Sequence, residues 1–294
     1  MSVADDKDIL RLIELAKSED FGQGDISSAL LDDPQQRATF HLIAKQRGVF
    51  AGREVAAAVF AAYGTSVDME WAASGVDGRR LDSVPTHLAT VCGPLGAILS
   101  AERVLLNFLQ RLCGVATLTR AFVDAVAGTN ATIYDTRKTT PGWRVLEKYA
   151  VRCGGGSNHR MGLYDAVLIK DNHLAGIGTT RLDHAVFEML GRLSMRDVKP
   201  TFVEIEADGV EQVKQLLKVV GIDAILLDNF SLDQLREAVV LRDNLGLRDK
   251  VALEASGGIT LQTVRAVAET GVDRISVGAL THSAVALDLS LDRI

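Results

Sequence analysis

Three cysteines in 294 residues are a poor basis for a disulfide framework. Cys92, Cys113 and Cys153 are odd in number, far apart, and outside any CxxC or Cys/His ligand spacing. The pattern predicts buried thiols in a reducing cytoplasm, without disulfide pairs or a structural zinc. No basic stretch followed by an apolar run opens the chain, which begins with Asp5, Asp6, Lys7 and Asp8, so no signal peptide is expected. No uncharged run approaches the roughly 20 residues a membrane-spanning helix needs. Positive net charge is missing too. The 32 Lys and Arg face 38 Asp and Glu, leaving -6, which argues against the extended basic face of a nucleic-acid binder. A glycine fingerprint after an early strand is also absent, which weakens the case for a doubly wound nucleotide-binding sheet.

The chain is 47% hydrophobic and 24% charged, enough to bury a core of one large domain or two ordinary ones. Ile9, Leu10, Leu12, Ile13 and Ala16 follow a helical period, and Ala38, Phe40, Leu42 and Ala44 alternate as in a half-buried strand. Gly52 to Tyr63 reads as a helix, with strands expected over Val67 to Ala72 and Thr86 to Cys92. A long helix is predicted from Ala97 to Val126, broken at Gly114. Beyond it, six short apolar runs alternate with helical segments and end in polar or glycine-rich residues, the layout of a parallel α/β barrel with its chemistry at the strand ends. Six strands predict an open, incomplete TIM-like barrel. The expected division is an N-terminal α/β sandwich domain over 1–113, rejoined by a closing strand in 284–294, and a barrel over 114–283.

From Tyr134 to His173 the chain gathers Arg137, Lys138, Arg144, Lys148, Arg152, Arg160 and Lys170 around His159. At an effective dielectric of about 20, two like charges about 4 Å apart repel by roughly 4 kcal/mol, so the cluster points to a polyanionic ligand. Two late glycine loops, Ser256-Gly257-Gly258 opening a helix and Gly278 after the last run, suit phosphate binding through backbone N–H groups. Glu204 and Glu206 share one strand face, and Asp228 ends the next run. Glu204 with Asp228 suits sugar hydroxyls, or Mg2+ held partly through substrate oxygens. Gly154-Gly155-Gly156 reads as a flexible loop allowing close approach to a ligand. Arg103, taken alone, reads as a surface arginine. Lys170 at a strand end would also suit a Schiff-base lyase.

Taken together, these residues resemble the quinolinate phosphoribosyltransferase family. The resemblance rests on Glu19-Asp20 with Gly24-Asp25-Ile26-Ser27, Glu102-Arg103 with Leu106-Asn107, and Asp135-Thr136-Arg137-Lys138-Thr139-Thr140-Pro141-Gly142. It continues through Asn158-His159-Arg160, Leu168-Ile169-Lys170-Asp171-Asn172-His173, Val203-Glu204, Asp228-Asn229, Ser256-Gly257-Gly258 and Gly278. It implies transfer of a phosphoribosyl group from phosphoribosyl pyrophosphate to quinolinate, Mg2+-dependent and decarboxylating, in a cytoplasmic homodimer or higher oligomer with shared sites. It implies that Arg103, Arg137, His159, Arg160 and Lys170 orient the quinolinate carboxylates, Arg103 arriving from a neighbouring subunit. Lys138 would lie between the two substrates, and Lys138, Glu204 and Asp228 would be catalytic. Glu204 and Asp228 would serve the ribose and, directly or indirectly, the metal. Thr136, Ser256, Gly257, Gly258, Val277, Gly278 and Ala279 complete the expected substrate contacts. Arg144, Lys148 and Arg152, spaced by four on a predicted helix, are expected only on a solvated face.

Overall fold

The structure is a computed structural model that describes residues 6–64, 67–174 and 181–294. It divides into two compact units. The first comprises 1–120, 138–156 and 280–294, and the second 121–137 and 157–279.

In the first unit, helix α1 (Lys7–Phe21) starts where the Asp6 side chain accepts the N–H groups of Asp8 and Ile9, and it buries Ile9 and Ile13. Strand β1 (Arg37–Ala44) buries every second residue, as its alternation requires. Strand β2 (Gly48–Val49) and helix α2 (Arg53–Ala62) follow, then β3 (Asp68–Trp71), β4 (Arg80–Leu81) and β5 (Thr86–Pro94). The closing strand Leu289–Arg293, β1, β5 and β3 form an antiparallel sheet in that order. β2 pairs with β4.

Helix α3 (Leu95–Ala125) runs 31 residues without the break predicted at Gly114. The glycine has another task. A Cβ there would sit 2.1 Å from the Val285 carbonyl oxygen, so Gly114 lets the segment before the closing strand lie against the helix backbone. Helix α4 (Arg144–Cys153) completes this unit's larger elements. It ends in a Schellman turn: Gly156 N–H donates to Val151 O, Gly155 N–H to Arg152 O, and Gly155 has φ +86°. Cβ atoms on Gly154 and Gly155 would fall 2.5 Å from Ala116 O and 2.9 Å from the Arg120 guanidinium. The glycine run therefore terminates a helix and allows close packing on α3, in place of the flexible ligand loop expected.

The second unit is built on a six-stranded parallel sheet: β6 (Thr132–Tyr134), β7 (Val167–Ile169), β8 (Val203–Ala207), β9 (Ala224–Asp228), β10 (Ala252–Ser256) and β11 (Arg274–Ser276). Their spatial order is β6-β11-β10-β9-β8-β7. The consecutive strands β6 and β7 are thus the two edges, so the barrel is open, as six strands predicted. Helices Leu182–Ser194, Val210–Leu216, Leu232–Asn244 and Val264–Ala268 alternate with the strands from β7 onward.

Gly114→Ala tests the close approach by its sign. In an exposed helix the change would stabilise by about 1 kcal/mol. Here the backbone clash is expected to destabilise by about 1–3 kcal/mol, read as a lower urea midpoint.

Candidate active site

Pairing register places the charged residues of the second unit on one sheet face. Leu168 is level with Glu204, and Glu204 with Ala224. Glu206, Leu226, Glu254 and Arg274 form the next level. Asp228 is level with Ser256 at the C-terminal ends. Because side chains alternate along a strand, Glu204, Glu206, Asp228, Glu254, Ser256, Arg274 and Ser276 all share this face, layered as in α/β barrels.

The deepest group is a buried triad. His159 Nε2 lies 2.8 Å from Glu204 Oε2 and 3.6 Å from Glu254 Oε1, the latter too long for a hydrogen bond. Its Nδ1 accepts the Arg160 N–H at 2.8 Å, so the neutral tautomer carries its proton on Nε2 and donates to Glu204. Asp135, fully buried, fixes the loop by accepting His159 N–H at 2.8 Å and Asn158 Nδ2 at 2.6 Å. Arg274 lies over the Tyr134 and Phe202 rings, 5.2 and 5.8 Å from their centroids, and its charge favours both buried carboxylates.

Burial pushes the Glu204 carboxyl up to about 7, opposed chiefly by the Arg274 charge. Burial, and then the Glu204 charge, pushes Glu254 up to about 8. Glu204, expected beside Asp228, is therefore an internal group four register positions short of it. Glu206, buried, level with Glu254 and two positions short of Asp228 on the same face, has its Oε2 2.7 Å from Lys170 Nζ.

Arg160 is buried, donates to Ala166 O at 3.3 Å, and has its guanidinium pKa lowered by burial first and then by the Arg137 charge. Two guanidiniums that repel one another across a desolvated site suit a bound carboxylate. Thr136 and Arg137 follow β6 half-buried.

Ser256 ends β10, and Gly257 and Gly258 follow it with φ +99° and +59°. A Cβ on Gly257 would sit 2.1 Å from Asn229 Oδ1, and Asn229 N–H donates to Ser256 O at 2.9 Å. The loops after β9 and β10 thus meet backbone to side chain. The helix expected to open at this loop begins only at Val264, so any anion there meets loop N–H groups without a helix terminus. Val277 is buried and its N–H donates to Tyr134 O, while Gly278 and Ala279 are half-buried.

Arg103 and Lys138 belong to the first unit. Arg103 is exposed on α3 and Lys138 is exposed on the loop before α4. The predicted solvated row on α4 is corrected at its centre. Arg144 is half-buried and Arg152 exposed, but Lys148 is fully buried, because residues 146–151 are enclosed around most of the helix.

The sequence reading missed Glu254 and Arg274. A lone charge in each short apolar run was the available signal, but only the register between strands places it on the Glu204 face.

The description "Quinolinate phosphoribosyl transferase, N-terminal domain" matches residues 25–113, and the corresponding C-terminal domain matches 115–292. The chain is 41% identical to the nicotinate-nucleotide pyrophosphorylase [carboxylating] of Mycobacterium leprae over 289 residues, 95% of each chain. It is 39% identical to the probable enzyme of that name from Bacillus subtilis over 274 residues, 93% of this chain and 89% of the relative. The structure of the nicotinate-nucleotide pyrophosphorylase from Francisella tularensis superposes with a TM-score of 0.87 at 35% identity, covering 100% of this chain and 98% of that one.

The raised carboxyls set a pH dependence. The folded state holds these protons more tightly than the unfolded chain, whose reference value is 4.5. Their contribution is therefore present at low pH and lost as pH rises through about 7 to 8. Without divalent cations, the wild-type urea midpoint should fall from pH 5 to pH 8 more steeply than that of Glu254→Gln.

Proposed function

The chain belongs to the quinolinate phosphoribosyltransferase family, and on that premise we propose that it converts quinolinate and phosphoribosyl pyrophosphate to nicotinate mononucleotide, pyrophosphate and CO2, a step of NAD biosynthesis. One observation carries this reading. Lys170, Glu206, Asp228 and Ser256 stand at the C-terminal ends of four adjacent parallel strands, with the desolvated Arg160 guanidinium in the same unit. A sugar bearing a phosphate and a pyrophosphate, with a dicarboxylate acceptor, calls for that mixture of cations, carboxylates and backbone donors.

Arg137 and Arg160 hold quinolinate carboxylates in bidentate geometry, and His159, fixed by Asp135 and Glu204, shapes their surroundings. Glu206 and Asp228 face the ribose and stabilise positive charge developing at the anomeric carbon as the C–O bond to pyrophosphate breaks. The quinolinate nitrogen attacks that carbon. Its ring is then cationic and accepts the electron pair released when the neighbouring carboxylate leaves as CO2. Loop N–H groups at Ser256, Gly257, Gly258 and Gly278 receive phosphate oxygens. To Lys138 we assign neutralisation of the leaving pyrophosphate.

Asp228 fits Mg2+ by donor chemistry, being a half-buried carboxylate at a strand end. Glu204, fully buried and given to His159, serves it indirectly. When bound, the ion neutralises the pyrophosphate oxygens. The protein's own work is positioning and desolvation. We further assign Arg103, exposed on its helix, to the site of a second copy, in a homodimer or larger oligomer of the cytoplasm.

Purified protein mixed with quinolinate, phosphoribosyl pyrophosphate and Mg2+ should release CO2 and pyrophosphate. Lys138→Ala and Arg160→Ala should lower turnover by about 100-fold or more with unchanged circular dichroism. Near-wild-type nicotinate mononucleotide formation by both variants would remove this site. Shared sites predict complementation: co-refolded Arg103→Ala and Lys138→Ala chains should recover about a quarter of wild-type activity as mixed dimers, and no recovery would leave Arg103 acting within one chain.

A further inference from the structure

Lys138 stands on a stretch, Asp135–Thr140, that belongs to no helix or strand, yet an amine meant to meet two substrates has to be held in place. Its own peptide is anchored at four points. Thr281 Oγ1 donates to Lys138 O at 2.8 Å. Arg144 Nε donates to Thr139 Oγ1 at 3.0 Å. The Thr140 N–H and hydroxyl donate to the two oxygens of Glu147, at 3.0 and 2.9 Å.

Glu147 is fully buried, where a lone carboxylate would be costly. A third donor answers it: Arg111 Nη2 lies 2.7 Å from Glu147 Oε1. The same guanidinium donates to Ala284 O at 2.8 Å and to Thr281 O, so it also holds the residue that grips Lys138 O. One arginine on α3 and one glutamate on α4 thus close a loop of charge-assisted bonds around the Lys138–Thr140 peptide. All of these groups lie in the first unit. Charges this deeply enclosed are a weak route to stability alone, and their geometry is specific to one peptide.

We propose that Arg111 and Glu147 are positioning residues for Lys138, setting its amine through the Lys138–Thr140 backbone. The proposal rests on the reading that Lys138 faces substrate. Glu147→Gln removes the charge at nearly constant volume and is expected to lower kcat by about 100-fold, the scale of a misplacement of about 1 Å. Thr140→Val, at an exposed position, removes one hydrogen bond to Glu147 and is expected to lower kcat by about fivefold.

The decisive measurement is a double-mutant cycle. Because both residues act through Lys138, each change should be silent on the residual activity of Lys138→Ala. A general structural defect would lower activity by the same factor in both backgrounds. If Glu147→Gln loses its circular dichroism signal, Thr140→Val decides the question alone. Wild-type turnover in both variants, or losses that multiply with Lys138→Ala, overturns the positioning role. Wild-type turnover in Lys138→Ala itself would instead sink the site reading beneath it.

Discussion

The 2.8 Å contact between His159 and Glu204 is the constraint around which the second unit is arranged. A carboxylate with no exposed surface needs a partner, and His159 can serve only while Asp135 holds its backbone and the Arg160 N–H fixes its tautomer. Those demands explain why Asn158, His159 and Arg160 are consecutive and why the loop carrying them returns beside β6, where Ser157 bridges to Tyr134. Glu254 adds a second acid, and Arg274, lying over two aromatic rings, supplies the compensating charge. The interior is a network in which each member makes another tolerable.

That network separates two kinds of carboxylate on one face. Glu204 and Glu254, both fully buried, are shielded and hold protons tightly. Glu206, level with Glu254, and Asp228, at its strand end, meet Lys170 and Asn229 instead.

How much of this was legible in the chain depends on the kind of information each feature uses. Period and strand count were enough for the strands of the first domain and for the open six-stranded barrel, but not for the antiparallel pairing of the first sheet. Alternation put Glu204 and Glu206 on one face but could not say which lay deeper, because depth is set by register against β7 and β9, which no single strand encodes. Glycine identity was visible, but its purpose was not. Gly114 and Gly154 answer to atoms distant in sequence, Val285 O and Ala116 O, and they read locally as a helix break and a flexible loop. Lys148 failed for a similar reason: spacing by four describes one face of a helix, and says nothing about a helix enclosed on several. The Glu147–Arg111 pair spans 36 residues and left no local trace.

The open seam between β6 and β7 has a bearing on solubility. Of the sheet's two edges, β6 is partly covered by Ser157, whose N–H donates to Ile133 O and whose carbonyl accepts the Asp135 N–H, while an edge such as β7 can offer N–H and C=O groups to a passing strand. Both edges here are three residues long, as is the interior strand β11, against five for β8, β9 and β10. So short a rim presents few backbone groups for a foreign chain to zip onto. The barrel can therefore stay unclosed without becoming a template for aggregation.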